Sequence, residues 1–320
     1  MLRMIVTAML VLACFGAAEA QSDYPTRPVR IVVPSAPGGG TDITARLIAQ
    51  ELSKTMGQSF IVENRAGAGQ MIGIGAVAQA DHDGYTLLMT ASTLAINPVM
   101  YKKLTYDVFR DFVPITQAVA LPNILVVNAS MPTHSVREFI DLAKQKPGQL
   151  TYASAGIGTS PHMSMELFKS MAGVDILHVP YKGTTPGLTD LLAGTVNAMM
   201  VNVLTATPHI QSGKLRALGV SGLKRLPGMP DVPTIAEAGV PGYESINWYG
   251  LLAPAKTPEP IIQRLHAEVV KALALPEMKA HIAADGAEPV GSTPEEFSER
   301  IRTDMDKWAA TARAAGITPK

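Results

Sequence analysis

The chain has 320 residues, of which 47% are hydrophobic and 17% are charged. Its 27 Lys and Arg balance its 27 Asp and Glu, so no charge excess draws it to nucleic acid or to an anionic membrane surface, and we expect neither as a partner. A chain of this length and apolar content has material for a large core or for two domains.

The first 20 residues have the pattern of a cleaved secretory signal peptide. Arg3 precedes an apolar stretch that reaches about Gly16, and Ala18-Glu19-Ala20 then supplies the small-residue pattern of a cleavage site. We predict cleavage before Gln21. A transmembrane anchor is the alternative, but the apolar stretch is shorter than the roughly 20 residues that a spanning helix needs.

Cysteine and histidine usage argue against metal and disulfide chemistry. Cys14 is the only cysteine and lies inside the signal sequence, where "VLAC" is a poor match to a lipidation site. The mature protein would then lack disulfides, thiolate metal sites and cysteine nucleophiles. The seven histidines show neither HxH nor HExxH spacing, so we predict no metal site and no cofactor.

Short apolar runs, rich in β-branched residues, alternate with amphipathic segments from residue 28 onward. Runs that are apolar on both faces and separated by helices predict a parallel sheet covered on both sides, and therefore an α/β fold. The predicted strands are PVRIVV (28–33), QSFIVE (58–63), YTLLM (85–89), ILVV (124–127), LTYAS (150–154), ILHVP (176–180), VNAMMV (196–201) and LRALGV (215–220).

Helix starts are indicated by capping residues. Ser135 and Glu138 have the spacing of a capping box. Hydroxyl residues that precede a proline suited to the first helical position mark further starts. These pairs are Ser160-Pro161, Thr185-Pro186, Thr207-Pro208, Thr257-Pro258 and Thr293-Pro294.

Two sets of strands and helices divide the chain. The segment from Thr257 onward is almost entirely helical, so we expect it to pack back on the first set without a strand of its own. The chain would then cross between domains near 118–123 and again near 245–254. We predict one lobe of residues 21–122 and 246–320, a second lobe of residues 123–245, and a hinge at the two crossings.

Four loops at the ends of predicted strands share one chemistry. In an open parallel sheet, ligands bind beyond the carboxyl ends of the strands, where helix N-termini present free amides. The loops are rich in Gly, Ser and Thr and nearly uncharged, which suits a carboxylate held by main-chain and hydroxyl donors. They are SAPGGGTD (35–42), TASTLAIN (90–97), SAGIGTSPH (154–162) and PYKGTTPG (180–187).

Other interpretations of these loops have weaker support. Ordinary βα turns are the plainest, and an acid such as Asp42 in a first helical turn is first of all a cap. No Walker lysine follows Gly38, and GAGQMIG (67–73) has one residue too many for a dinucleotide fingerprint. A secreted enzyme with Ser154 or Ser92 as nucleophile is the rival, although YASAG (152–156) lacks the first glycine of a nucleophile elbow.

Several strings, taken in order, resemble one known family. They are YPTRPVRIVVPSAPGGGTD, IVENRAGAGQMIG, DGYTLL, YASAGIGTSPHM, HVPYKG, GKLRALGVSG, DVPTIAEAG and WYGLLAP. This series closely resembles the substrate-binding proteins of tripartite tricarboxylate transporters, the Bug-type receptors. The resemblance covers Tyr24 to about Pro254, and the helical tail agrees with it.

The resemblance implies a type II periplasmic-binding-protein fold, with two lobes, a hinge and a ligand cleft between them. It also implies a monomeric periplasmic receptor that captures a small carboxylate, such as a di- or tricarboxylate or an aromatic acid. The receptor would deliver this ligand to a tripartite tricarboxylate-type membrane permease. A sensor that presents its ligand to a signalling partner would use the same fold.

Matching positions give the expected ligand-binding residues. In the first lobe they are Ser35, Ala36, Gly39, Gly40, Thr41, Asp42, Ser92 and Asn97. In the second lobe they are Ser154, Gly158, Thr159, His162, Tyr181, Thr184 and Asn202. No catalytic residue is implied.

Two further matching stretches carry lesser roles. Asn64, Gly67 and Gly69 match a stretch that shapes the first lobe's side of the cleft, and Trp248 and Tyr249 match the returning crossover, where hinge packing is expected. One departure concerns the ligand: the family often has an acid at the position of Val201. Its loss disfavours a ligand with an amine, because an ammonium group needs a counter-charge.

Overall fold

The computed structural model describes residues 24–181, 183–284 and 286–319. The predicted signal peptide, residues 1–20, lies outside the described residues. Within them, no helix combines the length and the apolar character needed to span a bilayer.

Strands and helices alternate along most of the described chain. In chain order they are β1 (Val29–Val33), α1 (Gly40–Met56), β2 (Phe60–Asn64), a 3₁₀ turn (Ala68–Gln70), α2 (Met71–Ala78), β3 (Thr86–Ala91), α3 (Thr93–Met100), β4 (Phe112–Asn128), α4 (Val136–Gln145), β5 (Thr151–Ser154), α5 (Ser160–Ala172), β6 (Leu177–Pro180), α6 (Thr184–Ala193), β7 (Ala198–Asn202), α7 (Val203–Gln211), β8 (Leu215–Val220), β9 (Ile246–Pro254), α8 (Glu259–Ala274), α9 (Pro276–Ala284), β10 (Glu288–Pro289) and α10 (Pro294–Ala314).

The strands form two sheets joined through β4. The first sheet has the order β2-β1-β3-β9-β4, and the second continues as β4-β7-β5-β6, while β10 and β8 each pair with β4. Strands β2, β1 and β3 are parallel, as are β7, β5 and β6. Strands β4, β8, β9 and β10 pair in the antiparallel sense, so the prediction of a wholly parallel sheet is wrong.

The long strand β4 is the first crossing between the sheets. Its first part, up to Pro122, pairs with β9, and from Asn123 onward it pairs with β7 and β8. Only residues 124–127 of this strand are predicted from sequence, because Pro114 and Pro122 interrupt the earlier part. The register of β4 shifts next to Pro114, where a bulge accommodates the proline.

Helices cover both faces of the first sheet. Ile48 of α1 and Leu265 of α8 pack on one face. On the other face, Ile96 of α3 packs with Phe297 and Trp308 of α10. The helical tail therefore contacts the first sheet, as expected from its lack of long strands, although the two-residue strand β10 corrects the expectation that it has none.

The second sheet is covered in the same way. Phe139 of α4 and Phe168 of α5 pack against Tyr152 of β5 on one face. Leu191 of α6 and Ala206 of α7 lie in the cluster on the other face. Both sheets thus have the three-layer arrangement that buried parallel strands require.

The predicted helix starts have mixed outcomes. Thr293 forms the full capping box with Glu296. Ser135 accepts a hydrogen bond from the Glu138 amide, but the Glu138 carboxylate accepts from His134 instead of from Ser135. The pairs at 160–161 and 185–186 lie inside first turns, because α5 begins directly after its N-cap Thr159 and α6 directly after its N-cap Gly183. Helix α8 begins one residue later than predicted. The pair at 207–208 is wrong, because its proline lies inside α7.

Helix α10 is fixed to the returning strand β9 by close packing and by a buried carboxylate. Asp304 is fully buried, accepts a hydrogen bond from Trp248 Nε1 at 2.7 Å and forms ion pairs with Arg300 and Lys307. Phe297 lies directly against Gly250, where a Cβ atom would overlap its ring. The absence of a side chain at Gly250 is what allows this contact.

We expect Gly250→Ala to lower the free energy of unfolding by about 1 to 3 kcal/mol, since the added methyl group overpacks against a buried ring. Gly228→Ala is the matched control, because a Cβ there meets no atom within 4 Å, and it should change stability by less than about 0.5 kcal/mol. Urea denaturation measures both. Equal midpoints for the two variants would contradict this account of the contact between α10 and β9.

Candidate functional site

The first part of the site is the loop between β1 and α1. Gly39 is the N-cap of α1 in an extended conformation, and the helix begins at Gly40. The amides of Gly39, Gly40, Thr41 and Asp42 therefore have no acceptor within the helix and lie at its positive dipole end. A side chain at Gly40 would overlap the Tyr249 hydroxyl group, so this glycine allows strand β9 to approach the N-terminus of α1.

Asp42 holds this loop together. Its carboxylate accepts hydrogen bonds from the Gly38 amide at 2.9 Å, Arg46 Nε at 3.1 Å and Asn64 Nδ2 at 2.9 Å. Burial alone would raise the pKa of this carboxyl, but the three donors lower it. The carboxylate is therefore ionised, and the neighbouring Arg46 balances its charge. The side chain has a supporting role, which leaves only its main-chain amide for a ligand.

Ser35 differs from its neighbours in having an unpaired hydroxyl group. Among the described residues, its Oγ is buried and has no hydrogen-bond partner. Its carbonyl group, by contrast, accepts from Asn64 Nδ2 at 3.1 Å. Asn64 thus joins the loop to Asp42, which is consistent with the shaping role predicted for it. Ala36 lies in the same loop and has an exposed side chain.

The second part of the site follows β3. Ser92 is fully buried and donates to Asn247 Oδ1 at 2.7 Å. Asn97 is 1% exposed and donates to the Gly69 carbonyl at 2.9 Å and to the Tyr106 hydroxyl at 3.0 Å. The Asn97 side chain therefore positions the neighbouring loop.

Two residues here are missed by the sequence analysis. Gln70 accepts from Thr90 Oγ1 and donates to Thr93 Oγ1, both at 3.3 Å. Asn247, on the hinge strand β9, also accepts from the Trp248 amide at 2.9 Å. The only sequence signal for Asn247 is its place beside the motif that contains Trp248.

The third part of the site is the loop between β5 and α5. Thr159 is the N-cap of α5 and donates through Oγ1 to the Gly156 carbonyl at 2.7 Å. Ser154 Oγ accepts from the Gly156 amide at 3.1 Å and lies 2.7 Å from His178 Nε2. Gly158 has a φ of 78°, a left-handed conformation that favours glycine. These bonds set the loop at the N-terminus of α5, where the Ser160 amide has no acceptor within the helix.

Two histidines stack behind this loop. The rings of His162 and His178 are 4.2 Å apart, and Tyr152 stacks on the other side of His178 at 4.7 Å. His162 Nδ1 accepts from the Gly158 amide at 3.3 Å. Burial, followed by the charge of Lys169, lowers the pKa of His162 to about 4. Burial, followed by His162, lowers the pKa of His178 to about 3, so both rings are neutral at ordinary pH.

The contact between Ser154 and His178 does not make a nucleophile. Ser154 and Ser92 are both fully buried, so neither hydroxyl group is accessible to a substrate. In the described part of the chain, no three His, Cys, Asp or Glu side chains are grouped so that they could hold a metal ion.

The fourth part of the site is the loop between β6 and α6. Thr184 is the first residue of α6, after the N-cap Gly183. Tyr181 donates through its hydroxyl group to Asp190 Oδ2 at 2.5 Å. Desolvation, together with this hydrogen bond, raises the pKa of Tyr181 to about 12. The Tyr181 hydroxyl group and the Asp190 carboxylate therefore hold each other, and the first amides of α6 have no acceptor within the helix.

Residues 201 and 202 end strand β7 beside the first crossing. Val201 is fully buried in the core and pairs with Ile124. An acid at this position would be buried as well, so the argument about the ligand's amine group cannot rest on Val201. Asn202 is the N-cap of α7, and among the described residues its Oδ1 is buried with no hydrogen-bond partner.

The two sheets touch on the side of these loops. Gly158, before α5, lies against Met100 at the end of α3. Met163 of α5 packs in the same core cluster as Met100 and Trp248. Because α3 and α5 each follow the carboxyl end of a parallel strand, this contact places the donor loops of the two sheets on the same side of the molecule.

We expect the neutral histidine pair to weaken the fold in mild acid. The unfolded chain takes up protons as the pH falls below about 6.5, while His162 and His178 do not, so stability should decrease from about pH 6.5 to about pH 4. His162→Gln should make the pH dependence of Tm shallower over this range. The exposed residue His82, changed to Gln, is the control and should keep the original slope. Identical slopes in both variants would contradict the role of the pair.

Comparisons with known proteins agree with this architecture. A family model described as the tripartite tricarboxylate transporter family receptor, TctC, matches residues 44–317. The chain is 37% identical to protein BugT of Bordetella pertussis (strain Tohama I), in an alignment that covers 100% of this chain and 99% of BugT.

Solved structures match over nearly their whole length. R. palustris Rpa4515 with adipate has a TM-score of 0.84 and 39% identity, covering 93% of this chain and 100% of that chain. MatC (Rpa3494) from Rhodopseudomonas palustris with bound malate has a TM-score of 0.78 and 34% identity, covering 90% and 99%.

These matches confirm the predicted family and the predicted α/β fold of periplasmic binding proteins. Members of this family are substrate-binding receptors, so the enzyme alternative is rejected. With its family model spanning residues 44–317 and its full-length similarity to BugT, the chain belongs to the tripartite tricarboxylate transporter receptor family.

Proposed function

We propose that this protein is a periplasmic receptor that captures a small dicarboxylate and delivers it to a tripartite tricarboxylate-type membrane permease. The observation that carries the proposal is the convergence of main-chain and hydroxyl donors at the strand ends of both sheets. Export through a cleaved signal peptide, residues 1–20, and action as a monomer belong to the same proposal.

We place the lobe boundaries at the two crossings. The first lobe comprises residues 21–122 and 246–320, and the second comprises residues 123–245. This division is supported by the pairing of β4, which changes from β9 to β7 and β8 between Pro122 and Asn123. The return is marked by Ser245, whose amide donates to the Ser221 carbonyl just before β9 begins.

The expected ligand-binding residues divide into two groups. We propose that the main-chain amides of Gly39, Gly40 and Thr41 and the unpaired Ser35 hydroxyl group contact one end of the ligand. In the second lobe, the first amides of α5 and α6, after Thr159 and Gly183, and the side chain of Asn202 contact the other end. The side chains that already have protein partners hold these loops in place, and they are Asp42, Ser92, Asn97, Ser154, Thr159, His162 and Tyr181.

Donors of this kind are strong enough to bind an anion. A helix N-terminus contributes about 0.3 to 1 kcal/mol to a nearby negative charge, and a hydrogen bond to a charged group about 1.5 to 3 kcal/mol. Several of each offset the roughly 4 to 15 kcal/mol cost of association and leave the ~8 kcal/mol of a micromolar complex. No arginine that binds the carboxylate directly is required.

Partnered carboxylates argue for a ligand without an amine. Asp42 is held by Arg46, Glu166 by Lys169 at 2.8 Å, and Asp190 by Tyr181. An ammonium group at these loops would find no spare counter-charge on any of the three. The relatives crystallised with adipate and with malate also hold acids without an amine, which supports the same ligand class.

We expect adipate to bind this protein and L-2-aminoadipate to bind at least about tenfold more weakly, because the added ammonium group is desolvated without a counter-charge. Isothermal titration calorimetry measures both affinities, with 1,6-hexanediol as a control that lacks charge. Equal affinity for the two acids would refute the amine argument. Failure of adipate and other small dicarboxylates to bind at all would refute the proposed ligand class, and chemical turnover of a bound acid would refute the receptor function.

We expect Gly40→Ala to weaken adipate binding by about tenfold or more, since the new methyl group overlaps Tyr249 and shifts the N-terminus of α1. The control is Gly228→Ala, where the added atom meets open space. Calorimetry gives the dissociation constants, and circular dichroism checks that both variants remain folded. An unchanged adipate affinity in folded Gly40→Ala protein would remove the α1 N-terminus from the proposed site.

A further inference from the structure

Five buried polar side chains meet at the hinge, behind the N-terminus of α5. Each is at most 6% exposed, and they are Asn123, Ser160, Ser164, Ser221 and Ser245. In the described part of the chain, none of their buried side-chain oxygen or nitrogen atoms lacks a hydrogen-bond partner. Burying a polar group costs free energy unless it is paired, whereas apolar side chains would fill the same space without this requirement. A buried network in which every member is paired fixes the relative position of the segments that carry it.

Asn123 lies at the centre of this network. Its side-chain amide donates to Ser160 Oγ and to Ser164 Oγ, both at 3.2 Å. Ser160 is the first residue of α5, and Ser164 lies one turn later on the same face of the helix. The two hydrogens of a single amide group therefore hold the first two turns of α5. Only an asparagine or glutamine side chain offers two such donors on one nitrogen without a charge.

The main chain of Asn123 belongs to the first crossing. Its amide donates to Ser221 Oγ at 2.7 Å, and its carbonyl group accepts from the Ser221 amide at 2.8 Å. Ser221 Oγ in turn donates to the Ser245 carbonyl at 2.5 Å. Ser245 directly precedes β9 and so belongs to the second crossing. One residue thus connects both crossings with the start of α5.

The second crossing also contacts α5 directly. Ser245 Oγ lies 2.5 Å from Ser164 Oγ, and Tyr243, which is fully buried, donates through its hydroxyl group to the Ser164 carbonyl at 2.8 Å. Met163, the neighbouring residue of α5, packs in the core cluster that contains Trp248 of β9. The N-terminal half of α5 is therefore held against the hinge by hydrogen bonds and by packing.

We propose that Asn123 is a positioning residue for ligand capture, an inference that rests on the proposed function. Its side-chain amide fixes the N-terminal turn of α5, whose Ser160 amide is among the donors assigned to the ligand. Because both crossings hold the same residue, the hinge strands impose the orientation in which α5 meets the ligand. Without the Asn123 amide, the two serine hydroxyl groups lose their donor, and the N-terminus of α5 can shift relative to the donors of the first lobe. Asn123 acts on the ligand only through α5.

The same strand offers a matched control. Asn128 lies at the other end of β4, and its side-chain amide donates to the Leu191 and Leu192 carbonyl groups at 2.8 and 3.2 Å. These carbonyl groups belong to the C-terminal end of α6, away from the donor loop at its start. Replacing either asparagine with leucine removes an amide that donates two hydrogen bonds. Both variants should therefore be less stable, but only the Asn123 variant should bind the ligand less tightly.

Hydrogen–deuterium exchange of the ligand-free protein tests whether Asn123 anchors α5. In Asn123→Leu, we expect the amides of residues 163–167 to exchange at least about threefold faster, because the first turns of α5 open more often. Asn128→Leu should leave exchange in this segment unchanged. Equal exchange of this segment in the two variants would overturn the anchoring.

Calorimetric titration with adipate tests the effect on capture. We expect Asn123→Leu to raise the adipate Kd by about tenfold or more, because a displaced donor no longer meets the carboxylate, and Asn128→Leu to leave it within about twofold. Circular dichroism checks that each variant is folded, so a role in stability alone would leave the Kd of every folded variant unchanged. Ser164→Ala is a milder change to the same network, which should raise the Kd by about threefold and decides the question if Asn123→Leu does not fold.

An adipate Kd that is unchanged in the folded Asn123 and Ser164 variants would overturn the positioning role. The same holds if Asn128→Leu weakens adipate binding as much as Asn123→Leu does. Failure of the original protein to bind any small dicarboxylate would refute the proposed function, and the exchange experiment, which needs no ligand, would still decide whether Asn123 anchors α5.

Discussion

The pairing of β4 with β9 is the constraint on which the rest of the structure depends. These two antiparallel strands are the routes by which the chain passes between the sheets, and Pro122 pairs with Ile246 where both cross. These paired strands form an axis between the two sheets, which also touch through the core cluster that contains Met100, Met163 and Trp248. Helix α10 reinforces this axis, because Asp304 and Phe297 fix it to β9.

Around this axis, the proposed anion site uses main-chain amides and helix dipoles as donors. The ionised side chains near the donor loops, such as Asp42 with Arg46 and Glu166 with Lys169, neutralise one another. Even the two buried histidines remain uncharged, since burial lowers the pKa of both. Neutral donors bind an anion with less attraction at long range than an arginine pair would.

The sequence predicts the strands, helices and loops of this architecture better than the pairing of its strands and the contacts between distant segments. Glycine-rich loops between apolar runs and helices locate the donor loops, because tight turns and free amides have local signatures. Strand β9 is missed as a strand, since its partners β3 and β4 are more than a hundred residues away in the chain. The side-chain contacts within the site, such as Ser92 with Asn247, join equally distant segments. No local pattern encodes them.

Some residues could either contact the ligand or hold a loop in place, and the sequence does not distinguish these two roles. Asp42 and Asn97 stand in loops that resemble binding loops, and only their observed partners show that their side chains support those loops. Val201 is a different case, because its side chain faces the core and so carries no information about the charge of the ligand. To tell a residue that contacts the ligand from one that supports the loop, the direction of the side chain must be known. In a strand buried on both faces, the sequence pattern does not give that direction.

The position of β9 between β3 and β4 has a consequence for how the chain folds. The first sheet cannot be complete before residue 254 has been synthesised, because β9, which lies between β3 and β4, is made more than a hundred residues after them. The second sheet is formed by residues 123–220 and needs no later strand. Long-range closure of this kind is slow and leaves strand edges open in the nascent chain. Until β9 has been made, the edge of β3 that it will cover remains unpaired.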